Sequence, residues 1–193
     1  MSTVQTVRLP LPPIDRREVL RYAGCREDAP ELSALLEACI RESDGLFTGQ
    51  VCALTLPVCI TPDGVMLGEL CVPSRLLADT LAGCDEALLF VATVGHPIDR
   101  LIRRDGRLSP ARGVMLQALG TERVEGLCDT FCGQYERLTR RVSPGYGDIP
   151  LALQRDIFRL LTPHRRVGVT LLDSLLMAPT KSVSAIAGIQ RQP

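Results

Sequence analysis

Hydrophobic residues recur along the chain with two different periods, and the change of period divides the predicted fold. Residues 15–24 and 28–43 carry apolar side chains three and four positions apart, which is typical of helices with one buried face. Asp15 is a candidate N-cap of the first helix. Asp28 is a candidate cap of the second, with Pro30 in its first turn. Two helices are therefore predicted first.

A segment with strand character follows, from Leu46 to Ser74. β-Branched and apolar residues flank Asp63-Gly64, a dipeptide strongly favoured in β-hairpins. Ser74 is placed to cap a short helix, and the apolar run DEALLFVATVG at 85–95 has the length of a buried strand. Helices mixed with hairpins favour an antiparallel α+β domain over a βαβ winding.

The longest helical pattern begins at Ser109-Pro110 and is expected to end near Arg140. Its apolar face is predicted to comprise Leu116, Leu119, Val124, Leu127, Cys128, Phe131, Tyr135 and Leu138. The stretch RRVSPGYGDIP, residues 140–150, follows directly. Its prolines and glycines are incompatible with the interior of a helix or strand, so a loop of defined shape is predicted. A further helix and three short strands are expected beyond Pro150.

The length of 193 residues fits a single domain, 1–193, which we divide into an N-terminal helical arm (1–45) and a main body (46–193). Acidic and basic residues number 22 each, which argues against a general nucleic-acid binder. The nearest approach to a basic cluster is interpreted as a solvated helix face; it comprises Arg100, Arg103, Arg104 and Arg107. No signal peptide or membrane-spanning apolar stretch is found, so a cytoplasmic protein without a membrane partner is expected.

Conventional catalytic and metal-binding patterns are not found. The eight cysteines never form CxxC and lie in apolar sequence, so buried, reduced thiols and no metal are expected. His96 and His164 are the only histidines, and they are interpreted as a helix cap and an exposed turn residue. Neither a Walker loop nor a GxGxxG follows a strand. No catalytic residue is predicted.

Three residues of the 140–150 loop have side chains or backbone suited to a ligand. The guanidinium of Arg141 can pair with a carboxylate, Gly145 allows close approach to the backbone, and the ring of Tyr146 can stack on a base or face a cation. In the structural alternative, Arg141 stabilises the end of the preceding helix, and Tyr146 fills the space between two turns. Composition alone favours the structural alternative.

Several motifs together resemble a known family. RVSPGYGDIPL, followed by VGVTLLDSLLMAPTKSVSAIAGI, resembles the activation domain of cobalamin-dependent methionine synthase, and more closely its stand-alone bacterial relatives. The resemblance extends upstream through FVATVGHPIDRLIRR and ALGTERVEGLCD, and more weakly to IDRREVLRYAG. It implies a central, bent antiparallel β-sheet flanked by helices.

The resemblance also implies a binding site for S-adenosylmethionine. In that family an Arg-x-x-x-Gly-Tyr element binds this ligand, and Arg141, Gly145 and Tyr146 stand at its positions. Ser143 lies within the element and is expected to contribute through its backbone. A helix carboxylate of the family corresponds better to Glu125 than to its neighbour Glu122.

An aspartate near the start of the family domain also contacts the ligand, and Asp15 is its counterpart here, although an N-cap role explains Asp15 equally well. The fused enzyme continues past the SVS motif into a segment whose tyrosine touches the ligand. The present sequence ends at Pro193, so a shortened pocket is expected.

The function implied is that of a reactivation module without turnover of its own. It would bind S-adenosylmethionine and support reductive methylation of cob(II)alamin carried by a separate corrinoid-bearing methionine synthase, with an electron from a flavodoxin or ferredoxin. In one alternative, the chain binds S-adenosylmethionine without supporting catalysis, or serves another corrinoid methyltransferase. In another, it is a docking scaffold whose pocket has decayed.

Overall fold

The computed structural model describes residues 3–25 and 29–190. Its helices and strands are, in chain order, β1 (Gln5–Leu9), α1 (Arg16–Tyr22), α2 (Pro30–Glu42), β2 (Gly49–Thr61), β3 (Gly64–Leu67), β4 (Leu70–Val72), α3 (Arg75–Thr80), β5 (Cys84–Thr93), α4 (Pro97–Leu108), α5 (Pro110–Cys132), α6 (Leu153–Leu161), α7 (Pro163–Arg166), β6 (Thr170–Leu171), β7 (Met177–Ala178) and β8 (Ser182–Gln190).

One antiparallel sheet organises the molecule. Its strands follow the order β4-β3-β2-β5-β8, with β1 also paired to β2, while β6 and β7 form a separate two-stranded ribbon. The long strand β2 pairs with β5 as far as Pro57 and with β3 from Val58 onward, so the two parts of the sheet meet within this strand. The predicted α+β fold with a central antiparallel sheet and flanking helices is confirmed.

Helices cover the central strand β5 on both faces, which explains its uninterrupted apolar sequence. Leu88, Phe90 and Ala92 face the cluster formed with α1, α2 and α5. The alternate residues belong to a second cluster, which includes side chains of α3 and α6; they are Ala87, Leu89 and Val91. The sheet therefore separates two cores, and the ends of its strands are free to carry loops.

The predicted hairpin after β2 is confirmed, with its turn one residue earlier than the dipeptide indicates. Gly64 already pairs with Thr61, so the two turn residues are Pro62 and Asp63. The predicted cap of α3 is also confirmed, because the Ser74 hydroxyl accepts a hydrogen bond from the backbone of that helix.

The observed bounds of two helices differ from the predicted ones. Helix α2 begins at Pro30 with Ala29 at the N-cap, and the proposed cap Asp28 lies outside the described residues. The expected end of α5 near Arg140 is wrong, because the helix ends at Cys132. From there the chain turns to the edge of the sheet, where Leu138 pairs with Ile189 of β8 instead of continuing the helix.

All eight cysteines are free thiols, and the expectation that they are buried holds for only part of the set. Cys39, Cys52, Cys84 and Cys128 are buried, and Cys25 and Cys132 are partly buried. Cys59 and Cys71 are exposed. They occupy exposed positions on β2 and β4.

Candidate functional site

An arginine and two carboxylates meet between α5 and the segment that follows it. The guanidinium of Arg141 donates one hydrogen bond to Oε2 of Glu125 and another to Oδ1 of Asp129, and both donor–acceptor distances are 2.5 Å. The two acids are four residues apart, which places them on the same face of α5. Sequence reasoning identified Arg141 and Glu125 but missed Asp129, although this spacing could have indicated it.

The ion-paired cluster keeps Arg141 charged. Partial burial alone would lower the pKa of its guanidinium, but the hydrogen bonds to Asp129 and Glu125 outweigh burial and raise that pKa above its ordinary value. Charge-assisted pairs with planar, two-point geometry are among the stronger polar contacts in proteins. The cluster as a whole carries a net negative charge, because two carboxylates face one guanidinium.

The edge strand β8 fixes the position of Arg141. The backbone N–H of Thr139 donates a hydrogen bond of 2.9 Å to the carbonyl of Gly188, and the Thr139 hydroxyl accepts one of 2.8 Å from the N–H of Gly188. Val142 exchanges two backbone hydrogen bonds with Ile186, of 2.9 and 2.8 Å. Arg141 is thus held between two points of strand pairing, and the unpaired edge of β8 is covered at the same time.

Hydrogen-bonded turns give the next residues a defined shape. The N–H of Tyr146 donates to the carbonyl of Ser143, and the N–H of Ile149 donates to the carbonyl of Tyr146. Gly145 donates to Ile149 and has a φ of +89°, a left-handed conformation that favours glycine. The predicted shaped loop is present, and its conformation depends on glycine at position 145.

Asp148 joins this loop to the start of α3. Its carboxylate accepts hydrogen bonds from the Ser74 hydroxyl (2.6 Å), the N–H of Arg75 (2.7 Å) and the N–H of Leu76 (3.2 Å). The hydrogen bond from Ser74, followed by the one from Arg75, lowers the pKa of this carboxyl below its ordinary value. The loop therefore supplies a second cap to α3, which tethers the loop opposite α5.

A cavity of about 690 Å³ lies between these elements. Its lining includes Glu125, Arg141, Ser143 and Tyr146, four of the six predicted site residues. The side chain of Tyr146 is 61% exposed, so it does not fill the space between two turns as the structural alternative required. The structure thus brings together a cation, carboxylates and an aromatic ring around a space of ligand size.

Asp15 lies in an adjacent cavity of about 480 Å³, which shares Glu125 with the first. The carboxylate of Asp15 accepts hydrogen bonds from the N–H groups of Arg17 (3.0 Å) and Glu18 (3.2 Å), so its predicted N-cap role is confirmed. The structure does not place Asp15 in the larger cavity with Arg141.

The neighbouring carboxylate Glu122 is occupied elsewhere. It is buried and pairs with Arg123, whose guanidinium also donates to the carbonyls of Pro12 and Pro13. Oε1 of Glu122 also accepts a hydrogen bond of 3.0 Å from the N–H of Asp15. This network anchors the segment before α1, so of the two acids Glu122 and Glu125 it is Glu125 that lines the larger cavity.

The other polar groups around the cavity are weak nucleophiles at neutral pH. Burial raises the pKa of the Cys132 thiol and of the Tyr135 phenol, so both stay protonated. Among residues 3–25 and 29–190, no set of three or more histidine, cysteine, aspartate or glutamate side chains is placed to hold a metal ion. The arrangement suits binding and positioning of a charged ligand.

The two histidines lie outside this cavity. His96 occupies the N-cap position of α4 without a side-chain cap, and its ring Nε2 is 3.2 Å from the carbonyl oxygen of Gly168. The helix-cap interpretation of His96 is therefore correct in position only. His164 is exposed, as interpreted from the sequence, but it lies in the short helix α7 and not in a turn. In the described part of the chain, no helix has both the length and the apolar content needed to span a membrane.

The chain is an α+β domain with a cavity at the covered edge of its antiparallel sheet. No protein-family model and no curated protein matches this chain significantly. Among solved structures, the crystal structure of the MetH reactivation domain bound to AdoHcy matches 99% of this chain and 79% of that one, with a TM-score of 0.74 and 15% sequence identity. The chain has the fold of the MetH reactivation domain.

Proposed function

We propose that the chain binds S-adenosylmethionine in the larger cavity and supports reductive methylation of cob(II)alamin on a separate cobalamin-dependent methionine synthase in the cytoplasm. The observation that carries this proposal is the meeting of Arg141 and Glu125 at a cavity of suitable size, with Asp129 as the second partner of the guanidinium. The shared fold adds support, because the matched MetH domain was crystallised with AdoHcy, the demethylated form of the same ligand.

The charges of the cluster complement those of the ligand. S-Adenosylmethionine carries one carboxylate, one ammonium and one sulfonium, which leaves one net positive charge at neutral pH. The cluster of Arg141, Glu125 and Asp129 carries the opposite net charge. On binding, the ligand carboxylate would take the place of one acid at the guanidinium of Arg141, and the freed acid would face an ammonium or sulfonium.

The rest of the cavity suits the adenosine portion. Tyr146 stands exposed at the rim, where its ring can stack on a base. Leu76 and Val142 supply apolar lining, and Ser143 and Thr139 are polar residues of the same lining. A cavity of about 690 Å³ falls within the range of small-molecule sites.

Positioning is the contribution expected from these residues. The methyl group would leave the sulfonium as its carbon–sulfur bond breaks and join the reduced cobalt centre of the partner, with neutral S-adenosylhomocysteine released and the electron supplied by a flavodoxin or ferredoxin. Such a transfer requires no general base, which agrees with the protonated state of Cys132 and Tyr135. Arg141 and the two acids would orient the methionine portion so that the methyl group faces the partner.

Isothermal titration calorimetry tests the binding step. Arg141→Met should weaken S-adenosylmethionine binding about 10- to 100-fold, because it removes a charge-assisted, two-point contact. Arg155→Met is the matched control, since Arg155 is exposed on α6 and lines neither cavity. Absence of binding by the wild-type protein, or equal loss in both variants, would overturn the proposal.

A further inference from the structure

A second groove lies between α4 and α5, along the N-terminal half of α5, whereas the candidate site adjoins the C-terminal half of that helix. It has a volume of about 740 Å³ and shares no lining residue with the cavity around Arg141. Its basic residues are Arg103, Arg107 and Lys181. We propose that this groove binds a small organic anion with an apolar body, such as an aromatic carboxylate or phosphate ester.

The basic side chains of the groove lack acidic partners. Among the described residues, Arg103, Arg107 and Lys181 form no ion pair with a carboxylate within 4.0 Å, in contrast to Arg104 on the same helix, which pairs with Glu42 and Asp105. All four arginines of this cluster are exposed on α4, in agreement with the solvated-face interpretation, and two of them also line the groove. Arg103 and Arg107 are one helical turn apart and line the same groove.

Lys181 is the strongest indication of a ligand. It is partly buried, its stem crosses α5 at Gly120, and its Nζ donates to the Thr121 hydroxyl over 3.1 Å. The stem packs closely on the helix there, since a Cβ at position 120 would lie 3.0 Å from two of its carbons. An ammonium held in this way, beside a neutral acceptor, has its charge incompletely compensated.

The electrostatic surroundings of Lys181 agree with this assignment. Desolvation lowers the pKa of its ammonium, and Asp99 offsets only part of that effect. Among the described residues, Asp99 is the only carboxylate in the groove lining. It accepts hydrogen bonds of 2.7 Å from the N–H and from the hydroxyl of Thr180. The groove therefore keeps an excess of positive charge that an anion can balance.

The floor of the groove is apolar, which selects for more than an inorganic ion. Ile102 and Ala118 are buried beneath it, and Val114 is 52% exposed within it. Gly106 and Gly113 face each other where α4 and α5 come closest, so the floor there lacks side chains. A ligand with a flat or aliphatic body can cover this floor while its anionic group reaches the basic side chains.

The probe 1-anilinonaphthalene-8-sulfonate combines an aromatic body with one anionic group, and its fluorescence rises on transfer to apolar surroundings. We expect saturable binding of one probe per chain. The double variant Arg103→Gln/Arg107→Gln and the variant Lys181→Met should each weaken this binding about tenfold. Arg100→Gln is the matched control, because Arg100 is exposed on α4 and does not line the groove.

A further variant tests the apolar floor without disturbing the core. Val114→Asp adds a carboxylate at an exposed helix position and should abolish probe binding while the circular dichroism spectrum is retained. Saturating S-adenosylhomocysteine should leave the probe bound. The assignment is overturned if Arg100→Gln weakens binding as much as the double variant, if S-adenosylhomocysteine displaces the probe, or if a polyglutamate peptide competes and benzoate or phenyl phosphate does not.

Discussion

The buried pair of Glu122 and Arg123 is predicted to be a main support of the segment before α1. Their side chains are 7% and 4% exposed, and the guanidinium makes four hydrogen bonds, two to Glu122 and one each to the carbonyls of Pro12 and Pro13. Glu122→Gln removes the counter-charge and leaves a buried cation. Breaking a buried pair in this way costs about 3 to 5 kcal/mol, and the retained carbonyl contacts place the expected loss near 3 kcal/mol.

Thermal unfolding followed by circular dichroism measures this loss. For a chain of this size, a loss of about 3 kcal/mol lowers Tm by roughly 6 to 12 °C. The double variant Glu122→Met/Arg123→Met should recover at least half of the lost stability, because no charge then remains buried without a partner. Glu18→Gln, in the exposed Glu18–Arg21 pair, is the matched control and should leave Tm nearly unchanged.

Two results would refute this reasoning. One is a loss below about 1 kcal/mol for Glu122→Gln, which would mean that the pair is solvated or replaceable. The other is a double variant that is less stable than Glu122→Gln. In that case the hydrogen bonds to the proline carbonyls, and not the compensation of charge, would be the main source of stability.

Three further predictions concern the loop and the thiols. Gly145→Ala should weaken S-adenosylmethionine binding in calorimetry, because the φ of +89° strains any other residue by about 1 to 2 kcal/mol. The pKa of Asp148 is lowered in the folded state, so its ionised carboxylate stabilises the fold at neutral pH. This contribution is lost as the pH falls through the pKa of Asp148 in the folded protein. Asp148→Asn should therefore reduce the difference in Tm between pH 7 and pH 3. In the native protein, Cys59 and Cys71 should react first with a thiol reagent, whereas Cys52, whose pKa burial raises to about 11, should react only after unfolding.

The elements that could be predicted from sequence are those whose pattern is local. The buried strand β5 follows from its apolar run, and the caps at Asp15 and Ser74 follow from side chains that reach the next turn of their own helices. Strand β1 could not be predicted, because Gln5–Leu9 is only half-buried and gains its structure by pairing with β2. Its pairing partner lies far along the chain.

The end of α5 also depends on a distant part of the chain, so the local sequence did not predict it. Tyr135 and Leu138 continue the helical spacing, yet Gly133 ends the helix and Leu138 pairs with β8. The residues after Cys132 form hydrogen bonds with the open edge of β8, as Thr139 does, and these replace the hydrogen bonds that a longer α5 would have made. Periodicity alone cannot report that competition, because the competing partner is absent from the local sequence.

For the candidate site, residue types were more predictable than their arrangement. Arg141, Glu125 and Tyr146 were predicted through motifs and do surround one cavity. The salt bridge from Arg141 to Asp129, and the separation of Asp15 into a neighbouring cavity, depend on how the segment before α1 and the chain after α5 pack on that helix. Such packing is set by contacts between distant parts of the chain, so it required the structure.

The most direct test of the proposed function is reconstitution of cob(II)alamin methylation. The assay combines a cobalamin-dependent methionine synthase that lacks its own activation domain with a reductant and S-adenosylmethionine, and it follows the visible spectrum of the cobalamin. We predict conversion to methylcobalamin with the wild-type chain, but not without it or with Arg141→Met. Conversion at the same rate with and without the chain, or none although S-adenosylmethionine binds, would contradict the proposed reactivation role.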